Sequence, residues 1–185
     1  YPPNPPLASI YFEVQAAEVA SLLEACDHLV GHSYGGVVAL LAAATSGSRI
    51  ASLTVAEPPA FGLVRGNPDV ERLVERLAPI LASVAEPRAF LVAFLAAVGS
   101  TYQPPDPLPP GVEACVRAHM AERPPWEAEI PLVSIAGRSI PAMVLSGGHH
   151  PAFEAVCDAI AQGLGATRAG IPGAGHSVQR TGAPF

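Results

Sequence analysis

A chain of 185 residues, half of them hydrophobic and only 14% charged, can bury one sizeable core and is neither disordered nor fibrous. Its net charge of −6, with no Lys/Arg cluster, argues against a nucleic-acid partner. The longest apolar runs, such as 90–98, are too short to span a bilayer, which argues against a membrane partner.

Residues 1–9 are Pro-rich and read as extended chain without a secretory signal. The stretch 12–25 reads as an amphipathic helix with Phe12, Ala16, Val19, Leu22 and Leu23 near one face. Asp27-His28 turns into a short strand ending at Leu29-Val30, and Val37 to Ala44 is a helix former stopped by Thr45-Ser46-Gly47-Ser48. Ile50 to Ala56 is an apolar strand ending at Glu57, where Pro58-Pro59 prevents continuation. From 61 to 131 the pattern is helical segments broken by prolines (70–84, 88–98 and 112–122, with a Pro-rich loop at 102–110). Ile140 to Leu145 is the next strand. The stretch 151–164 is a helix with Pro151 at its first position and His150 before it, and 167–171 is the last strand. Strands alternating with helices predict an α/β protein with a parallel sheet of about four strands and right-handed crossovers. Cys26, Cys115 and Cys157 form no C-x-x-C pair and read as small buried hydrophobes of a reducing, cytoplasmic environment.

Chemistry concentrates between the first strand and the helix after it. Gly31-His32-Ser33-Tyr34-Gly35-Gly36 contains Gly-x-Ser-x-Gly, the pattern of a strand-to-helix turn that holds a serine hydroxyl clear of the backbone. Residues two before and two after Ser33 must be small where strand and helix nearly collide, and Gly36 relieves the first helical turn. A serine hydroxyl needs a base to take its proton, and the base needs a carboxylate to orient it. His176, on the Gly-rich loop after the last strand, is the expected base, at the same sheet edge as Ser33. No H-E-x-x-H or Cys/His ligand spacing points to a metal, and Gly173-x-Gly175 lacks the helix and third glycine of a dinucleotide site. No cofactor is expected.

The stretches 31–36, 53–59 (Leu-Thr-Val-Ala-Glu-Pro-Pro) and 171–176 (Ile-Pro-Gly-Ala-Gly-His) resemble the α/β-hydrolase family in sequence and in order. The resemblance runs from about residue 11 onward and is weakest over 61–131. It implies a partial α/β-hydrolase fold: core over 1–60, a helical cap over 61–131 that covers the site, and core again over 132–185. It also implies that the strands normally preceding this helix, and the loop carrying one oxyanion-hole amide, are not in this sequence; the other amide is that of Tyr34. The family's usual acid position follows the third strand here, where His149-His150 stands instead. Glu57 resembles the acid of a branch, including some haloalkane dehalogenases, that places it after the strand following the nucleophile. Asp106, Glu127, Glu129 and Asp158 are poorer candidates. A serine nucleophile disfavours haloalkane and epoxide chemistry. The resemblance therefore implies a serine esterase acting on a small, apolar substrate through an acyl-enzyme, weakened if one oxyanion donor is missing. The alternative is a non-catalytic hydrolase-like domain that binds a small ligand or a protein partner. Oligomeric state stays open.

Overall fold

The computed structural model describes residues 11–24, 27–46, 50–100 and 102–180. The Pro-rich start, Cys26 and Gly47-Ser48 lie outside them. Within them, helix α1 (Phe12–Leu22) leads into strand β1 (His28–His32), helix α2 (Tyr34–Thr45) and strand β2 (Ser52–Ala56). Helices α3 (Pro68–Ser83), α4 (Pro87–Ala97), α5 (Pro110–Met120) and α6 (Leu132–Gly137) separate β2 from strand β3 (Ala142–Ser146). Helix α7 (Pro151–Leu164) and strand β4 (Thr167–Gly170) complete the sheet, which is parallel throughout in the order β1-β2-β3-β4.

Local chemistry sets the helix starts. Asn67 caps α3 by accepting from the Asp69 and Val70 amides, and Glu86 caps α4 by accepting from the Arg88 and Ala89 amides. Each is followed by proline, which lacks the amide a first-turn residue could not use. His150 Nδ1 accepts the Ala152 N–H at the start of α7, and Gly165 ends that helix in the left-handed region at φ 62°.

Period-two burial then builds the core. Leu29, Leu53, Val55 and Val144 are buried on the sheet face that meets α2 and α7, beside Val37, Leu40, Phe153, Val156 and Ile160. The alternate face carries Val30, 70% exposed, and Met143, 39% exposed. A fully covered parallel sheet would bury both.

Several expectations change. Helix α1 stops at Leu22 and the backbone at Leu23 is extended, so Leu22 points outward at 78% exposure and only Phe12 and Ala16 of that face are buried. Helix α3 does run through Pro79, as the spacing over 70–84 expects, forgoing one amide bond. Helix α6 was not expected, being six residues with too little periodicity to register. Cys157 is buried, and burial pushes its thiol up to about 12, whereas Cys115 is exposed because it faces away from the core on α5. The described residues contain no helix long and apolar enough to cross a membrane.

Candidate active site

The turn from β1 into α2 is as crowded as its chemistry requires, but on one side only. A Cβ on Gly31 would lie 2.4 Å from the Gly35 carbonyl oxygen and 2.7 Å from Ala39 Cβ, so only glycine fits. A Cβ on Gly35 would meet nothing, and one on Gly36 would meet Pro58 at 3.0 Å. The expected need for small residues therefore holds at Gly31, not at Gly35. Gly36 makes room for Pro58 in the loop after β2. Ser33 takes φ 53°, ψ −129°, a conformation L residues avoid, and the turn holds it there from both sides: its amide donates to Ala56 O at 2.9 Å, and its carbonyl accepts from Gly36 at 2.8 Å.

Glu57, immediately after β2, has φ 52°, a second strained non-glycine residue. Its side chain is fully buried, and Oε1 accepts the Gly147 amide at 2.5 Å. Gly147 follows β3, and a Cβ there would stand 1.8 Å from the Gly175 carbonyl oxygen. The chain after β4 carries Gly173 and Gly175 at φ 79° and 63°, which only glycine adopts freely, and so bends His176 back over the strand ends.

Ser33, Glu57 and His176 meet at that edge. His176 Nε2 lies 2.9 Å from Ser33 Oγ, and Nδ1 lies 3.3 Å from Glu57 Oε2. A carboxylate only accepts, so the neutral ring carries its proton on Nδ1 and turns the Nε2 lone pair toward the serine hydroxyl. Phe153 packs against the same ring at 4.9 Å between centroids. Of the other carboxylates weighed, Asp158 pairs with Arg168, Glu127 with Arg123 and Asp106 with Arg88, away from His176.

Two histidines of this edge have contacts that motif reading missed. His32 Nε2 donates to the His176 carbonyl at 2.7 Å, while the Gln179 side-chain amide lies 3.4 Å from Nδ1. Only a neutral ring donates at one nitrogen and accepts at the other. Burial, first among the causes, accordingly lowers the pKa of His32. His149 lies beside Glu57, with Nδ1 3.6 Å from Oε2. Neither role has a sequence signal, because each partner is contributed from a distant part of the chain.

Ser33 and His176 open on a slot walled by Tyr34, Phe61, Leu77, Phe94, Trp126 and Phe153, with a cavity of about 20 Å³, room for one water molecule. Two buried side-chain atoms near these walls, Tyr34 Oη and His119 Nε2, have no hydrogen-bond partner among the described residues. Burial, aided by the nearby Glu122 and Glu13, pushes the Tyr34 hydroxyl pKa up, so it stays a neutral donor.

The strained serine at a strand-to-helix turn, on a parallel sheet with the inserted helices after the second strand, defines an alpha/beta hydrolase fold. The model of the alpha/beta hydrolase family matches residues 2–184, and the chain belongs to that family. No curated protein matches it. Among solved structures, a hydrolase from Pseudomonas aeruginosa is 21% identical with TM-score 0.61, the match covering 96% of this chain and 69% of that one. An alpha/beta hydrolase from Sphaerobacter thermophilus is 26% identical with TM-score 0.54, covering 90% and 68%. A structure from a study of carboxylesterases of Nitrososphaera gargenis is 12% identical with TM-score 0.60, covering 93% and 67%. The chain thus spans about two thirds of the length of these hydrolases.

Two expected outcomes arise from this geometry. Gly147→Ala drives a Cβ into the Gly175 backbone, next to His176. It should cost roughly 1–3 kcal/mol in thermal unfolding, whereas Gly35→Ala should leave the melting temperature unchanged. The second concerns pH. The unfolded chain protonates His32 near ~6.5, while the folded chain resists, so below that pH the unfolded state binds more protons and stability falls as pH drops. The fall levels off once pH is below the folded value. His150, its pKa likewise lowered by burial, adds in the same direction. Melting curves from pH 7.5 to 5.0 should show this decline, and His32→Gln, whose amide can still donate to His176 O, should make it shallower.

Proposed function

We propose that the protein is a serine hydrolase that cleaves an ester-type or related acyl bond of a small, apolar substrate through an acyl-enzyme. The observation that carries the reading is Ser33, in a strained conformation, 2.9 Å from a histidine nitrogen whose partner nitrogen faces a buried carboxylate.

In this reading Ser33 Oγ attacks the acyl carbon while His176 Nε2 takes its proton. Glu57 keeps the ring in the needed tautomer and stabilises the imidazolium that forms. The Tyr34 amide opens α2 without an intrahelical partner, so it is offered to the oxyanion; one such donor is worth on the order of 10²–10³ in rate. His176 returns the proton to the leaving alcohol and then activates water to release the acyl group. The apolar slot favours a hydrophobic acyl chain, and its one-water cavity means that the walls of α3 and α4 part to admit it. No metal or organic cofactor enters the scheme.

A fluorophosphonate probe tests the reading. Stoichiometric labelling of the folded chain is expected; folded protein that takes up no label would favour the non-catalytic alternative, a domain that binds a ligand or partner without turning it over.

A further inference from the structure

Glu57 faces two imidazoles, and proton transfer from serine needs only one of them. His149 Nδ1 lies 3.6 Å from Glu57 Oε2, the same oxygen that His176 Nδ1 approaches at 3.3 Å. The other nitrogen of His149, Nε2, is 3.0 Å from the Val98 carbonyl oxygen. A carbonyl only accepts, so Nε2 carries a proton, and in the singly protonated ring Nδ1 turns its lone pair toward the carboxylate. That Nδ1 is buried without a hydrogen-bond partner, and Glu57 is fully buried. In that form two acceptors face each other in a dry interior and repel, and a cation between them, a proton or a metal ion, removes the penalty.

We propose that Glu57, His149 and His176 form a binding site for zinc or a similar divalent transition-metal ion, and that its occupancy switches the hydrolase off. The three ligand atoms all lie within 4.8 Å of one another. Zinc bonds of about 2.0–2.2 Å at tetrahedral angles place neighbouring ligand atoms roughly 3.3–3.5 Å apart. The two edges from Glu57 Oε2, 3.3 Å to His176 Nδ1 and 3.6 Å to His149 Nδ1, lie at that spacing and just beyond it. Two imidazoles and one carboxylate are a zinc donor set with a fourth position for water, and are too nitrogen-rich for calcium or magnesium. The His149 Nε2–H on the Val98 carbonyl is the outer bond that fixes a ligating imidazole in its working tautomer. About a tenth of each imidazole side chain remains exposed, 11% for His149 and 10% for His176.

The consequence for activity, which rests on the proposed role of His176, follows from proton placement. Metal on His176 Nδ1 takes the lone pair there, so the proton Nδ1 carried moves to Nε2. Nε2–H then donates to Ser33 Oγ and has no lone pair left to accept the serine proton. The serine loses its base while the fold stays as it is.

The test uses the full chain with Co²⁺ as a spectroscopic probe and Zn²⁺ as the inhibitor. One equivalent of Co²⁺ should produce visible absorption of a four-coordinate centre, displaced by Zn²⁺, and Zn²⁺ should suppress ester turnover reversibly by EDTA. His149→Gln keeps an amide able to reach Val98 but offers no Nδ1. Both its Co²⁺ affinity and its half-inhibiting Zn²⁺ concentration, the latter read against its own metal-free rate, should shift by at least about tenfold. Absence of the Co²⁺ spectrum, or equal metal affinity in wild type and His149→Gln, overturns the site. A His149-dependent Co²⁺ spectrum in a chain inert toward esters and the fluorophosphonate would support the site while the hydrolase reading fails.

Discussion

Ser33→Ala is expected to abolish fluorophosphonate labelling and to lower ester turnover by roughly 10⁶-fold, with the melting temperature unchanged. On the proposed mechanism the magnitude follows from removal of the nucleophile, whose partners have no other way to reach the acyl carbon. The fold should survive because alanine keeps the same Cβ at φ 53° and leaves the backbone bonds to Ala56 and Gly36 intact. The residual rate would come from the Tyr34 amide and from binding alone. Labelling of the Ser33→Ala chain at the wild-type rate would remove Ser33 from the mechanism.

Glu57→Gln should cost about 10⁴-fold in turnover with little loss of stability. The Gly147 amide needs an acceptor, and the glutamine oxygen supplies it. The amide nitrogen then faces His176 Nδ1, which must accept instead of donate, and the ring proton moves to Nε2 and points at Ser33. The base is present and correctly placed, but in the wrong tautomer. Because the new N–H also meets the Nδ1 lone pair of His149, the buried site gains a bond as it loses a charge, and so the fold should hold. Steady-state turnover of a chromogenic ester measures the effect, and Asp158→Asn, whose carboxylate lies on the surface against Arg168, is the control. Near-full activity in Glu57→Gln would show that another group orients His176.

Much of this architecture was legible from short contiguous signals. The sharp turn after β1 needs Gly-x-Ser-x-Gly within five residues, and Pro58-Pro59 ends β2 wherever that strand lies. Apolar spacing over 70–84 and 151–164 marks helices long enough to average out local exceptions. Ser33, Glu57 and His176 could be picked out as candidates because each follows a recognisable strand, and parallel strands deliver such residues to one edge.

Other features depend on neighbours that no local window contains. Leu22 has the spacing of a buried residue, yet the chain leaves α1 there and exposes it; Cys115 has the composition of a buried one, yet α5 turns it outward. Gly35 sits in the motif without needing to be glycine, since crowding depends on where Ala39 and Pro58 lie around the turn. The contacts of His32 and His149 gave no signal, because a backbone carbonyl at position 176 and a carboxylate at position 57 become their partners only when the sheet assembles.

By itself, the sequence determined the order of elements, the parallel sheet and the turn that exposes Ser33, because each rests on backbone preferences and periodicity within a dozen residues. Only the tertiary structure decided which side chains converge and with what geometry. The 3.3 Å approach of His176 to Glu57 and the unpartnered His149 nitrogen beside it depend on three loops meeting at one sheet edge. Distances of that kind are set by how β1 to β4 pack against α2 and α7, which no stretch of chain encodes alone.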